Sequence, residues 1–385
     1  MPSSIFGPAP PPKTALGLHR ILSPTAAVKV SPICLGGISI GSSWNELFGE
    51  NQKPFDLLDA YFRIGGNFID TSNSYNSEDS ERLIGEWMEL RGVRDQIVVA
   101  TKYTAGYKAY DRENLPFQSN YTGNSVKSMH ISVRDSLAKL RTDYIDLLYV
   151  HWWDFGTSVE EVMRGLHVLV MAQKVLYLGA SDIPAWVVVK ANSCMFTFAR
   201  ANGLTPFSVY QGKWNAAYRD MEAEIIPMCQ NEGLAIVPWA ALGGGALMSE
   251  DQRKVAENDP KARKTIVDER ILHVSAVLEE IASRHGTSPQ SALAYLYAQT
   301  PYVIPIVGVQ TVAHVNSMLD HLKVRLSSED IRQIHDANPL TPLFPMNFLF
   351  NYRGDQPYHL GLTAKDNQQY QMAAMIDSPP KQQPY

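Results

Sequence analysis

The sequence predicts an α/β fold, a (β/α)8 TIM barrel with long βα loops and loose terminal arms, on three observations. Short β-branched runs alternate with amphipathic stretches at a spacing of about 35 residues, as expected of βα units around a parallel sheet. Several runs, Val98 to Ala100 and Leu147 to Val150 among them, are apolar on both faces, which suits strands covered by helices outside and packed side chains inside. The residues that end the runs are polar, and the C-terminal ends of its strands are where such a barrel builds its site.

The expected strands are Ile33 to Gly36, Asn67 to Asp70, Ile97 to Lys102, Ile145 to His151, Val175 to Ser181, Ser208 to Gln211, Leu234 to Trp239 and Val303 to Gly308. Helices are expected at Phe55 to Ile64, Asp79 to Leu90, Ser125 to Leu140, Val159 to Ala172, Ala185 to Ala201 and Met221 to Asn231. Val274 to Arg284 with Pro289 to Gln299, Val312 to Leu322 and Ser327 to Asn338 complete the helical set. Ser158 and Thr311 stand where free helical N–H groups need an acceptor, and Gly65-Gly66, Gly92, Gly203 and Gly233 stand where helices stop. Two βα connections are long, Tyr103 to Gly123 and Gly243 to Asp268. Residues 1–14 and the tail from Ser378, with Pro379, Pro380 and Pro384, are too rich in proline for regular structure. This divides the chain into an N-terminal arm (1–14), a barrel (15–340) and a C-terminal loop and tail (341–385).

Composition excludes several functions. A formal charge of −5 gives no long-range attraction for polyphosphate, so neither nucleic acid nor an anionic membrane is the expected partner. No stretch approaches the ~20 apolar residues of a membrane span, and no signal-peptide pattern opens the chain, so a cytoplasmic protein acting on a small molecule is expected. Cys34, Cys194 and Cys229 lack paired spacing, which indicates neither disulfides nor a thiolate metal site, and the ten histidines are too dispersed for a metal-dependent hydrolase. Gly36-Gly37 to Gly41 and Gly243-Gly244-Gly245 read as turns, because the flanking residues of a phosphate loop are missing. The sequence carries no signal for an oligomeric partner.

The strand ends bring together Asp70, Lys102, His151, Ser181-Asp182, Gln211 and Trp239. Each alone has ordinary structural uses. An Asp, a Lys and a His converging on one barrel mouth, without a second carboxylate pair or a His cluster, favour charge-tuned proton transfer over metal-assisted hydrolysis.

The segments Asn67-Phe-Ile-Asp70-Thr-Ser-Asn-Ser-Tyr75, Val98-Val-Ala-Thr-Lys102, Leu147-Leu-Tyr-Val-His151, Leu178-Gly-Ala-Ser181 and Val209-Tyr-Gln211 resemble, in order and spacing, the signature blocks of the aldo-keto reductase superfamily. The likeness runs from about Leu18 to Leu340. The His151-Trp-Trp-Asp run and the Gln211-Gly-Lys-Trp-Asn215 block are most similar to its fungal aryl-alcohol dehydrogenase and norsolorinic acid reductase branch. The resemblance implies an oxidoreductase that interconverts a carbonyl and an alcohol, with Asp70, Tyr75, Lys102 and His151 as catalytic tetrad and Tyr75 as general acid/base.

The chemistry gives this assignment independent sense, because hydride delivery leaves charge on oxygen and calls for a donor not already ionised. An ammonium ~4 Å from a phenol, at an effective dielectric of ~20, is worth roughly 4 kcal/mol or about three pKa units, so Lys102 is expected to tune Tyr75 downward.

The resemblance also implies that Ser181, Asp182 and Gln211 hold the nicotinamide carboxamide and that Trp239 covers the ring. Leu242, Gly308, Gln310 and His314 would complete the cofactor contacts. Asp182 stands where many relatives carry Asn, and its charge would favour the oxidised, positively charged ring. After Gly308 the basic residue that usually grips the 2′-phosphate is missing, which leaves Gln310, Thr311 and a helix N-terminus as the available donors. NADP is the expected cofactor, with NAD as the alternative.

Aromatic residues gather where substrate is expected. Trp44, Tyr103 and Trp152 are the candidate substrate contacts, with Tyr107, Tyr110, Phe117, Trp153, Phe344, Phe348 and Phe350 nearby in the loops, and the set suggests a flat aromatic or polyketide-like carbonyl. The competing reading is a cofactor-binding sensor with marginal turnover, as in the potassium-channel β subunits that share the fold.

Overall fold

The chain first makes an antiparallel hairpin, β1 (Arg20–Ser23) and β2 (Ala26–Val30), which lies outside the sequence expectations. Eight parallel strands follow: β3 (Cys34–Gly36), β4 (Phe68–Asp70), β5 (Val98–Tyr103), β6 (Ile145–Val150), β7 (Val175–Ser181), β8 (Phe207–Lys213), β9 (Ala235–Trp239) and β10 (Ile306–Gly308). The structure, a computed structural model, describes residues 7–192, 204–287, 292–350 and 358–377. Cys194, the end of the helix expected up to Ala201 and the proline-bearing tail from Ser378 lie outside the described residues.

The strands run in the order β10-β3-β4-β5-β6-β7-β8-β9, all parallel. The ring closes between β9 and β10 through one parallel bridge, Ile236 to Val303. Pro305 explains why the last strand is shorter than its apolar run. Proline has no N–H to donate, so Val303 and Ile304 pair with Ile236 before it, Ile306 pairs with Cys34 after it, and the Pro305 carbonyl accepts Cys34 N–H at 2.9 Å.

Around the barrel stand α1 (Asn45–Phe48), α2 (Pro54–Arg63), α3 (Asp79–Arg91), α4 (Val126–Lys139), α5 (Val159–Met171), α6 (residues 185–192) and α7 (Ile225–Glu232). They continue with α8 (Glu250–Glu257), α9 (Glu269–Arg284), α10 (Ala292–Gln299), α11 (Val312–His321) and α12 (Ser328–Ala337). Ser125, Ser158 and Thr311 cap α4, α5 and α11 by accepting N–H groups of the first turn, which residues of this type do best.

Period-two alternation sorts each strand into two cores. In β5, Val98 and Ala100 face inward with Phe68, Leu147, Val209 and Val237, whereas Val99 and Tyr103 face outward against helical residues such as Trp87, Met129 and Val162. The hairpin contributes Leu22, Ala26 and Val30 to the inner cluster and so closes the N-terminal end of the barrel. No helix among the described residues is long and apolar enough to cross a membrane.

Candidate active site

The alternation that turns Val98 and Ala100 inward also turns Lys102 inward, at the mouth of the barrel and fully buried. Its ammonium makes a short ion contact with Asp70 at the end of β4 and donates to the Thr71 carbonyl at 2.7 Å. Gln211 of β8 donates to the other Asp70 oxygen at 2.8 Å, so the buried carboxylate is satisfied on both sides.

The segment after β4 continues along β5, with Thr71 N–H on the Ala100 carbonyl at 2.8 Å and Asn73 N–H on the Lys102 carbonyl at 3.1 Å. This run brings the Tyr75 hydroxyl to 3.3 Å from Lys102 Nζ, and the ammonium lies 4.8 Å from the centre of the phenol ring. His151 follows β6 directly. Its backbone N–H reaches the Tyr103 carbonyl at 3.1 Å, its ring meets Tyr75 edge-on at 6.0 Å, and its Nδ1 lies 3.5 Å from Ser72 Oγ. The four residues expected as a tetrad therefore converge.

Their electrostatics depart from expectation at one point. Burial raises the Tyr75 phenol above its ordinary pKa of 10.0, and the Lys102 charge only partly opposes this, with Asp70 and Asp182 adding to the rise. The downward tuning expected from the ammonium alone is thus overturned, because a phenolate in this wall loses more hydration than one cation returns. Burial also works against charge on Lys102, yet Asp70 and Tyr75 outweigh it and hold the ammonium above 10.5. Burial and the Lys102 charge push His151 well below 6.5, which leaves a neutral imidazole. The group so assembled is a protonated phenol, a fixed cation behind it and a neutral imidazole beside it.

A cavity of about 1210 Å³ opens above this group, with Asp70, Tyr75, His151 and Gln211 on its floor and Trp239, Leu242, Gly308, Gln310 and His314 on its walls. Asp182, with φ at 49°, turns its carboxylate into the cavity, where both oxygens accept the Trp239 indole N–H at 3.0 and 3.2 Å. Burial raises the Asp182 carboxyl, and the Trp239 hydrogen bond opposes the rise. Ser181 lies behind it, fully buried, donating to Asp182 at 3.4 Å and off the cavity wall.

Along the wall beside Gly308, most of the expected phosphate donors are already engaged. Gln310 Nε2 donates to the carbonyls of Phe48 and Glu50, both at 3.2 Å; Val312 N–H donates to Gln52; and His314 N–H donates to the cap oxygen of Thr311. His314 Nδ1 faces the Gln310 N–H at 3.4 Å, and burial lowers the histidine below 6.5, so it brings no charge. The cation that sequence reading missed is Arg263, carried into the same wall by the long loop after β9. Its guanidinium lies 4.8 Å over the Phe48 ring, burial lowers its pKa, and no carboxylate pairs with it among the described residues. The only sequence signal was the run Lys261-Ala-Arg263-Lys264, which reads equally as a solvated loop.

The aromatic residues separate. Trp44 packs on Tyr75 at 6.2 Å, and Trp152, exposed, packs on His151 at 4.6 Å, so both flank the tetrad. Tyr103 does not: it is buried in the outer core with its hydroxyl on the Asn124 carbonyl, because the residue after an inward Lys102 must point outward. Tyr107 and Tyr110 turn to Asp135 and Glu78, and Phe117 and Phe344 are exposed. Among the described residues no cluster of histidine, cysteine and carboxylate side chains is arranged to hold a metal ion.

The aldo/keto reductase family model matches residues 32–339. Norsolorinic acid reductase A of Aspergillus parasiticus is 48% identical over 384 residues, covering 98% of this chain and 95% of its own. The aryl-alcohol dehydrogenase [NADP(+)] of Phanerodontia chrysosporium is 48% identical over 356 residues, covering 89% and 91%. Norsolorinic acid reductase B of Dothistroma septosporum is 46% identical over 335 residues, covering 86% and 84%. With this match laid over a barrel whose mouth holds the buried Asp70–Lys102 pair, the chain belongs to the aldo/keto reductase family and is an oxidoreductase.

Proposed function

We propose that the protein interconverts an aromatic aldehyde or ketone with the corresponding alcohol, using NADP(H), with Tyr75 as general acid/base. The observation that carries the reading is the Tyr75 hydroxyl at 3.3 Å from a buried ammonium that is itself paired with Asp70. The names of the relatives, norsolorinic acid reductase and aryl-alcohol dehydrogenase, support an aromatic substrate.

The residues present fit a phosphorylated dinucleotide. The cavity is large and Arg263 stands in its wall, a cation with no counter-charge among the described residues that suits a phosphate monoester. Asp182, Gln211 and Trp239 would hold the nicotinamide end, and Arg263 the 2′-phosphate. The cofactor, when bound, supplies or accepts the hydride.

The chain's own groups handle the proton. As negative charge develops on the substrate oxygen, Tyr75 Oη gives up its hydrogen, and Lys102 stabilises the phenolate left behind. Asp70 keeps Lys102 charged and aimed. Neutral His151 donates a hydrogen bond to the same oxygen, and Trp44 and Trp152 would flank the ring of the substrate. In the reverse direction the phenolate accepts the alcohol proton.

The test is oxidation of NADPH by the purified protein across a panel of aromatic aldehydes. Tyr75→Phe is expected to remove turnover while leaving NADPH fluorescence titration nearly unchanged. Turnover surviving in Tyr75→Phe would assign the proton to another group, and tight NADPH binding without turnover on any aldehyde would favour a sensor.

A further inference from the structure

The loop that delivers Tyr75 holds three successive residues with side chains in the left-handed region: Asn76 at φ 50°, Ser77 at 54° and Glu78 at 79°. Such a run is costly for L-residues and persists only where the surroundings enforce it. Asn76 is held by donating to the Ile38 carbonyl at 2.7 Å and accepting Trp44 N–H at 3.0 Å. At Glu78, where glycine would fit without strain, a carboxylate is instead buried to 1% exposure.

Three donors meet that carboxylate. Lys108 Nζ and the Tyr110 hydroxyl both lie 2.6 Å from one oxygen, and Lys139 Nζ lies 2.9 Å from the other. Lys139, on α4, also contacts Glu81 at 2.7 Å and the carbonyl of Asn73 at 3.1 Å. Glu81 accepts the Thr101 hydroxyl at 2.6 Å, one residue from Lys102. Burial would raise the Glu78 carboxyl, but the Lys139 charge and the hydrogen bonds from Lys108 and Tyr110 bring it below 4.5, so the clamp is ionic at neutral pH. None of Glu78, Lys108, Tyr110 or Lys139 reaches the cavity wall. The cluster stands off the cavity wall and ties the Tyr75 loop to the long loop after β5 and to α4.

We infer that Glu78 is a positioning residue for the proton donor: its clamp on Lys108, Tyr110 and Lys139 keeps the Tyr75 hydroxyl at hydrogen-bond distance from Lys102. This rests on the reading of Tyr75 as the acid. A displacement of about 1 Å at a reacting group lowers a rate on the order of 100-fold, so a slack loop would be felt in kcat.

Two variants test it. Glu78→Gly removes the clamp while suiting the left-handed backbone, and Glu78→Gln keeps shape and hydrogen-bond acceptor without charge. Each is compared with wild type for kcat and KM on benzaldehyde and on 4-nitrobenzaldehyde, for NADPH affinity by fluorescence, and for thermal midpoint. The electron-poor aldehyde needs less proton donation as its oxygen becomes charged. The expected result for Glu78→Gly is a kcat lowered on the order of 10- to 100-fold on benzaldehyde, a clearly smaller loss on the nitro compound, and NADPH affinity within twofold. Glu78→Gln should recover part of the rate.

Equal losses on both aldehydes, a parallel loss of NADPH affinity, or an unchanged kcat would overturn the inference. If Glu78→Gly does not fold, Glu78→Gln is judged by the same three criteria. Absence of wild-type turnover would instead defeat the underlying functional reading, which the wild-type control reveals separately.

Discussion

The indole N–H of Trp239 is shared between the two carboxyl oxygens of Asp182, at 3.0 and 3.2 Å, which fixes an acidic group on the wall of the cavity. Replacing it by Asn keeps an acceptor for the indole and removes the charge. A unit charge ~6 Å from an oxidised nicotinamide, at an effective dielectric of ~40, is worth about 1.4 kcal/mol, or tenfold in affinity. Asp182→Asn should therefore weaken NADP+ about tenfold relative to NADPH, read by paired fluorescence and calorimetric titrations. Equal changes for both forms would place the nicotinamide elsewhere.

Lys102→Met strands the Asp70 carboxylate in the barrel with Gln211 as its remaining side-chain partner. Loss of one member of a buried pair costs about 3–5 kcal/mol, so the urea midpoint should fall sharply together with turnover. Adding Asp70→Asn should restore most of the stability and none of the activity. A double variant as unstable as the single one would show that the Thr71 contact, not the ion pair, supplies the stability.

Arg263→Ala tests the 2′-phosphate assignment. A charge-assisted hydrogen bond is worth about 1.5–3 kcal/mol, so NADPH affinity should drop roughly 10- to 100-fold while NADH affinity changes by less than about threefold. Loss of both in parallel would mean that Arg263 supports the loop rather than reading the phosphate.

His321, buried at the end of α11, has its pKa lowered from 6.5 to about 4 by burial, with Asp320 in weak opposition. The unfolded chain takes up a proton below 6.5 that the folded chain refuses until about pH 4, so stability is complete above 6.5 and falls as pH drops through that window. The difference corresponds to about 3 kcal/mol from this residue. His321→Leu should flatten the fall in unfolding free energy between pH 7 and pH 5, measured by urea titration at each pH. His335, also lowered to about 4, leaves a residual slope. An unaltered slope in the variant would refute the assignment.

Gly85 lets α3 lie directly on the end of α4. A methyl group there would collide with the Lys139 carbonyl and stand 2.6 Å from Leu140 backbone atoms, which cannot give way as a side chain does. Gly85→Ala should cost about 1–3 kcal/mol in chemical denaturation, and a neutral result would mean that the two helices slide apart freely.

Much of this was legible in the sequence because a barrel turns local pattern into place. Asp70, Lys102, His151 and Gln211 stand out as polar ends on apolar runs, and the fold brings such ends together. The same rule, applied one residue further, puts Tyr103 in the outer core, so that error lay in weighing aromatic composition over alternation. Gln310 and Arg263 are different. Which donor is free in the wall that holds Gln310 and Arg263 depends on carbonyls of Phe48 and Glu50 and on a loop more than two hundred residues away from them, and no local pattern encodes that. The direction of the Tyr75 shift was hidden for a similar reason, since the neighbouring cation is visible in a motif and the loss of hydration is not.

The hairpin of β1 and β2 plugs the base of the barrel with Leu22, Ala26 and Val30. Below Lys102 the inner cluster is largely apolar, with Val98, Leu147 and Val237 packed beside Tyr149 and Cys34. On the proposal that Tyr75 is the proton donor, the hydrogen it gives up is replaced from the cavity it lines, so water and reactants share one entrance.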